Sequence, residues 1–198
     1  MRINIGGLLT KRAAMTPDRE GLVCEDIRRT YKKLNDRANR LANAMKALGV
    51  NHGDRVGILA LNEPEYFDMY FGLGKIGAIL VPVNHRLAGP EIEYILSDCE
   101  AKVLVFGKEF AEVVDSIRKD IAAKDLIAIS DDPPEWAESY EAVIGEASDE
   151  EPEEEGGDDD TLTILYTSGT TGRPKGAMLT HTYYFWNSVN LMSTLGMD

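Results

Sequence analysis

Between residues 54 and 130 the chain alternates short, continuous apolar runs with longer segments of helical periodicity, and this alternation restricts the fold more than any other feature. The runs DRVGILA (54–60), AILVPV (78–83), AKVLVFG (101–107) and LIAIS (126–130) lack the polar/apolar alternation of a half-exposed strand. They suit strands covered on both faces. Between them, NEPEYFDMYFGLGKIG, PEIEYILSD and KEFAEVVDSIRKD read as helices, the first begun by Asn62 and Pro64 near its first turn. The expected fold class is α/β, a mostly parallel sheet flanked by helices. No repeat of fixed period is apparent.

Before this block, Thr30 is a plausible N-cap, and Leu34, Ala38, Leu41, Met45 and Leu48 follow at helical spacing until Gly49 offers a stop. After it, TLTILY (161–166) reads as a strand, TSGTTGRPKG as the loop leaving its end, and AMLT as a short returning strand before a helix that begins near His181. In a parallel sheet, ligands gather at the carboxyl ends of strands. That position is where this loop falls.

The net charge of −13 is localised. Residues 131–160 hold 15 acidic and no basic residues, leaving 21 basic against 19 acidic elsewhere, a net of +2. The final part, SDEEPEEEGGDDD, reads as a solvated, mobile connection, with an acidic docking surface as the alternative. Without a basic patch, nucleic acid is not an expected partner. No apolar run has the length of a membrane span, and the start lacks the apolar stretch of a secretory signal, so a soluble cytoplasmic protein is expected. Cys24 and Cys99 stand in no redox or metal-ligand spacing, and His52, His85 and His181 are scattered, which argues against a metal site built on them.

The loop's residue types define its chemistry. Gly169, Gly172 and Gly176 let backbone N–H groups converge on an anion. Thr167, Ser168, Thr170 and Thr171 add hydroxyl donors, and Lys175 adds a positive charge suited to phosphate. Pro174 biases Arg173 toward extended backbone. A polyphosphate is the ligand these features favour. The spacing is not that of the Walker loop. A flexible Gly/Thr surface hairpin would account for the glycines and threonines, but not for the Pro-Lys-Gly ending or the strand in front.

YTSGTTGRPKG (166–176) resembles, at all eleven positions, the phosphate-loop signature of the adenylate-forming enzymes: acyl-CoA synthetases, amino-acid-activating domains and firefly-type luciferases. RTYKKLNDRANRLANAMKALGVNHGDRVGI (29–58) and GKIGAILVPVNHRLAGPEIEYILSD (74–98) are similar to further family segments, and VPVNHRL is closer to the acyl-CoA synthetase branch. The resemblance implies ATP, coenzyme A and a carboxylic acid, fatty or similar, as substrates, with Mg²⁺. It also implies that Thr167, Ser168, Gly169, Thr170, Thr171, Gly172 and Lys175 hold the β- and γ-phosphates, and that no residue of this chain is a nucleophile or general base.

Family members run to well over twice 198 residues, so the chain is expected to be an N-terminal portion, inactive alone; a non-catalytic nucleotide-binding or interaction module is the alternative. Its expected units are N-terminal helices and a hairpin (1–50) that pack on a missing second sheet, an α/β subdomain (51–130), the acidic connection (131–160), and the strand, loop and helix of the same subdomain (161–198). On that basis the Leu34–Leu48 stripe should lack partners and be either exposed or covered by self-association, and residues 168–175 should be mobile without nucleotide. His181 is expected to start a helix with no ligand role, and Tyr66, Phe67, Tyr70, Phe71, Tyr183, Tyr184 and Trp186 are assigned to the core ahead of an acyl path.

Overall fold

The computed structural model describes residues 3–153, 155–167 and 173–196. Helix α1 (Ile5–Met15) is followed by the hairpin β1 (Glu20–Cys24) and β2 (Ile27–Thr30), then α2 (Tyr31–Ala47). Five units come next: β3 (Arg55–Leu59), α3 (Glu65–Lys75), β4 (Ile79–Pro82), α4 (Gly89–Asp98) and β5 (Val103–Gly107). A short 3₁₀ turn leads into α5 (Ala111–Ile117), then β6 (Asp125–Ile129), β7 (Glu138–Ser139) and α6 (Tyr140–Glu146). The last elements are β8 (Thr161–Thr167), β9 (Lys175–Thr180) and α7 (His181–Leu195).

Seven strands form one sheet in the order β7-β6-β5-β3-β4-β8-β9, parallel throughout except for the antiparallel β8–β9 pair. The apolar runs are covered on both faces, as their lack of alternation requires. Val56, Ile58, Val103 and Val105 point into a layer with Leu41, Met45, Met69 and Leu73 of α2 and α3. Leu59, Leu104 and Phe106 point into a second layer with Ile92, Ile95 and Leu96 of α4 and with Val114 and Ile117 of α5. The α/β class and its mostly parallel sheet are thus as the sequence predicts.

The α2 stripe is different from expectation. Leu34, Ala38, Leu41 and Met45 are buried and Leu48 packs against the first layer, so within this chain the stripe needs neither a second sheet nor a second copy. Its partner is α3, which approaches closely because Gly72 has no side chain. A Cβ there would stand 2.6 Å from the Ala38 carbonyl oxygen. Thr30 caps α2, its hydroxyl accepting from the Lys33 N–H.

The acidic stretch is also not a freely solvated connection. It contains β7 and α6, with Tyr140 and Ile144 buried. Beyond α6 it runs as a strap over α2. The Asn39 amide donates to the Asp149 carbonyl, Asn43 to those of Ser148 and Glu150, and Arg40 to that of Ala147. Glu151 meets Lys75, and Glu155 pairs with Lys46. The sequence reading missed this because a run of carboxylates looks the same whether water or a helix rich in Asn, Arg and Lys faces it.

Candidate functional site

The β8–β9 hairpin carries the predicted loop. Strand β8 joins the sheet beside β4, with Leu80 opposite Thr163, and runs parallel to it. Its carboxyl end therefore lies on the same edge as those of β3, β4, β5 and β6. Strand β9 returns antiparallel, and the register sets Thr167 opposite Lys175 and Tyr166 opposite Gly176. The structure thus brings Thr167 and Lys175 together at the mouth of the hairpin, both exposed. Lys175 is the first residue of β9 and not a loop residue. Ser168, Gly169, Thr170, Thr171 and Gly172, and most of the loop assigned as mobile, lie outside the described residues.

Both stems of the loop reach α4. The Tyr166 phenol donates to Oδ2 of Asp98 at 2.6 Å. Across the loop, the Arg173 guanidinium lies over the Tyr94 ring, 5.2 Å from its centroid. The Tyr94 hydroxyl in turn lies 3.4 Å from Oδ1 of Asp98. Burial and the Asp98 hydrogen bond raise the ionisation of Tyr166 well above the ordinary phenol, so it stays a donor. The Tyr166 ring passes over Gly176, where a Cβ would stand 2.6 Å from Ile164 Cγ2 and 3.2 Å from Tyr166 Cζ. Asp98 and Tyr94 were not singled out in the sequence. They sit in an ordinary helical pattern, and only the tertiary fold sets them beside the hairpin.

On the hairpin's other flank, the Thr163 hydroxyl meets the Tyr184 hydroxyl at 2.8 Å. His181 is fully buried; its Nδ1 accepts from the Ile5 N–H at 3.0 Å, and its own backbone N–H donates to Asp160. It is a structural residue at the start of α7. The aromatic residues divide: Tyr66, Phe67, Tyr70, Phe71 and Tyr184 line, with Ile5 and Leu162, an open apolar cavity of 360 Å³. Phe67, Tyr183 and Trp186 are exposed, at 40%, 50% and 54%, which corrects their assignment to the core.

A second, polar cleft of 710 Å³ lies at the carboxyl ends of β5 and β6, with Glu63, Glu65, Lys108, Glu109, Asp131 and Asp132 around it. Behind it sits a charged cluster absent from the sequence reading. Asp68, fully buried, accepts from Arg29 at 3.4 Å, Arg37 at 2.8 Å and the Tyr140 hydroxyl at 3.2 Å, while Glu65 pairs with Arg29 at 3.0 Å. The hairpin β1–β2 and helices α2, α3 and α6 are held to one another through it.

A parallel α/β sheet with a Gly/Thr/Lys loop leaving the carboxyl end of one strand defines a nucleotide-binding class of protein. The match to known proteins is narrower: residues 9–197 fit the family described as AMP-binding enzyme, and the chain belongs to that family. It is 42% identical over 186 residues to the long-chain-fatty-acid–CoA ligase FadD13 of Mycobacterium tuberculosis, covering 90% of this chain and 35% of that protein. It is 39% identical over 188 residues to a feruloyl-CoA synthase of Amycolatopsis, covering 95% and 35%.

Among solved structures, the anthranilate CoA ligase AuaEII in complex with anthranoyl-AMP superposes with a TM-score of 0.90 at 33% identity, over 95% of this chain and 36% of that one. The N-terminal domain of FACL13 from Mycobacterium tuberculosis gives 0.80 at 40% identity, over 90% and 44%. The chain spans about a third of the length of the curated relatives it matches.

Proposed function

We propose that this chain is the polyphosphate-binding part of an ATP-dependent ligase that joins a carboxylic acid, fatty or aromatic, to coenzyme A. The observation that carries the reading is the complete Tyr166–Gly176 signature, set on a hairpin whose mouth pairs Thr167 with Lys175 at the carboxyl edge of the sheet. The names of the relatives, which are CoA ligases for long-chain, ferulic and indoleacetic acids, support the substrate class.

In this proposal the hydroxyls of Thr167, Ser168, Thr170 and Thr171, backbone N–H groups at Gly169 and Gly172, and the Lys175 ammonium bind the β- and γ-phosphates of ATP. The substrate carboxylate attacks the α-phosphorus, the bond to the pyrophosphate oxygen breaks, and an acyl-adenylate forms. The coenzyme A thiol then displaces AMP. The residues of this chain act by positioning and by stabilising charge on departing pyrophosphate, with no proton transfer assigned to them. Among the described residues no three His, Cys, Asp or Glu side chains form a metal-binding group. Mg²⁺ would accompany the polyphosphate, which commonly carries it with few protein ligands.

The test is acid-dependent ATP–pyrophosphate exchange with Mg²⁺ and a panel of fatty and aromatic acids. A protein carrying this chain at the full length of the relatives should exchange, with Lys175→Ala slowing adenylate formation more than it weakens acid binding. The 198-residue chain should bind tripolyphosphate without exchange, because aligning the carboxylate with the α-phosphorus requires surfaces it does not supply. Exchange by the isolated chain would overturn the reading that it supplies only the polyphosphate site. An inert full-length protein would favour a binding module.

A further inference from the structure

The stems of the phosphate loop are separated by the segment that would fold around an anion. A segment rich in glycine and threonine loses much conformational freedom when it orders, and any contact that fixes its ends beforehand reduces that loss. Here both ends lead to one helix. Tyr94 and Asp98 are four residues apart and so share one face of α4. The helix is anchored in the second core layer through Ile92, Ile95 and Leu96, and Tyr94 and Tyr166 pack against that same layer.

The entry stem is held by a short hydrogen bond to a carboxylate, Tyr166 to Asp98 at 2.6 Å, of the charge-assisted kind that exceeds a neutral pair in strength. The exit stem is held by the Arg173 guanidinium over the Tyr94 ring, 5.2 Å from its centroid. The absence of a side chain at Gly176 is what lets the Tyr166 ring cross β9 toward the helix.

We propose that Asp98 and Tyr94 are positioning residues for the phosphate loop, Asp98 fixing its entry through Tyr166 and Tyr94 fixing its exit through Arg173. Neither touches the polyphosphate. They set the span of the loop before the anion arrives, and the proposal rests on the phosphate-binding reading given above.

The experiment measures tripolyphosphate affinity of the 198-residue chain by calorimetry, with Mg²⁺, for the wild type and for Asp98→Ala, Asp98→Asn, Tyr166→Phe, the Asp98→Ala/Tyr166→Phe pair, and Lys175→Ala. Asp98→Ala and Tyr166→Phe should each weaken binding by about three- to tenfold, the range of an ordinary hydrogen bond in contact with solvent. The double variant should lose no more than either single one. Asp98→Asn, which keeps an accepting oxygen, should recover most of the affinity. Ile117→Val on α5 serves as a control: it lowers stability without weakening binding, separating position from general loosening.

Wild-type affinity in Asp98→Ala and Tyr166→Phe, with binding lost in Lys175→Ala, would overturn the positioning role and leave the phosphate loop standing. Additive losses in the double variant would overturn it too. A wild-type chain that does not bind tripolyphosphate would overturn both readings.

Discussion

The Nζ atom of Lys75 lies 2.5 Å from Oε1 of Glu151, joining the last turn of α3 to the acidic strap. Lys75 is almost wholly buried and also donates to Thr10, Asn35 and Asn39. Burial opposes the charge on Glu151, but hydrogen bonds from Lys75 and Thr10 more than compensate and hold it below the usual carboxylate range. Lys75→Met removes the donor and leaves a carboxylate and three polar side chains facing an apolar one. The expected loss is about 2–4 kcal/mol in urea unfolding, and a loss below about 0.5 kcal/mol would show that the strap is not held through this lysine.

Asp68 should give the chain an unusual pH response. Burial raises its carboxyl to about 6 against the opposing pull of Arg37 and Arg29. A carboxyl with a native value above its unfolded value, near 4, binds its proton more tightly when folded. Its contribution is complete below about pH 4 and is lost as pH rises through about 6. The stability difference between wild type and Asp68→Asn should therefore shift against the wild type over that window. Unfolding free energies at pH 4, 5, 6 and 7 check this; a difference independent of pH would refute it.

Gly176→Ala tests the crossing of Tyr166 over β9. The added methyl would stand 2.6 Å from Ile164 Cγ2 and 3.2 Å from the Tyr166 ring, so strand or ring must shift. A destabilisation of about 1–3 kcal/mol is expected, together with weaker tripolyphosphate binding. Unchanged stability and unchanged binding would mean the crossing imposes no constraint.

Leu41 is fully buried between α2, α3 and the sheet. Leu41→Ala should lower the unfolding free energy by about 2–5 kcal/mol at any protein concentration. A loss that appears only at high concentration, where copies associate, would restore the rejected idea that this stripe is covered by a second molecule.

Much of the sheet was legible because its signal is local. VGIL, ILVP and VLVFG are apolar without alternation, and a strand with two covered faces has no other way to be encoded. The strand in front of the loop and the one returning from it were legible for the same reason, as TLTILY and AMLT carry their signal in neighbouring residues. Helix α6 was not, because Tyr140–Glu146 lies inside a run of carboxylates whose charge masks Tyr140, Val143 and Ile144. The anchors Tyr94 and Asp98 were not either, since nothing in PEIEYILSD distinguishes a helix facing water from one beside a hairpin 68 residues away in sequence.

The sequence by itself determined the α/β class, the strands buried on both faces and the N-cap at Thr30, all of which follow from neighbouring residues obeying steric and hydrogen-bonding rules. The tertiary structure alone decided which charge meets which. It buried Asp68 among Arg29, Arg37 and Tyr140, seated Glu151 on Lys75, and brought Asp98 to Tyr166. A carboxylate's role depends on its burial and its partner, and both are properties of distance in space, which residue order does not contain.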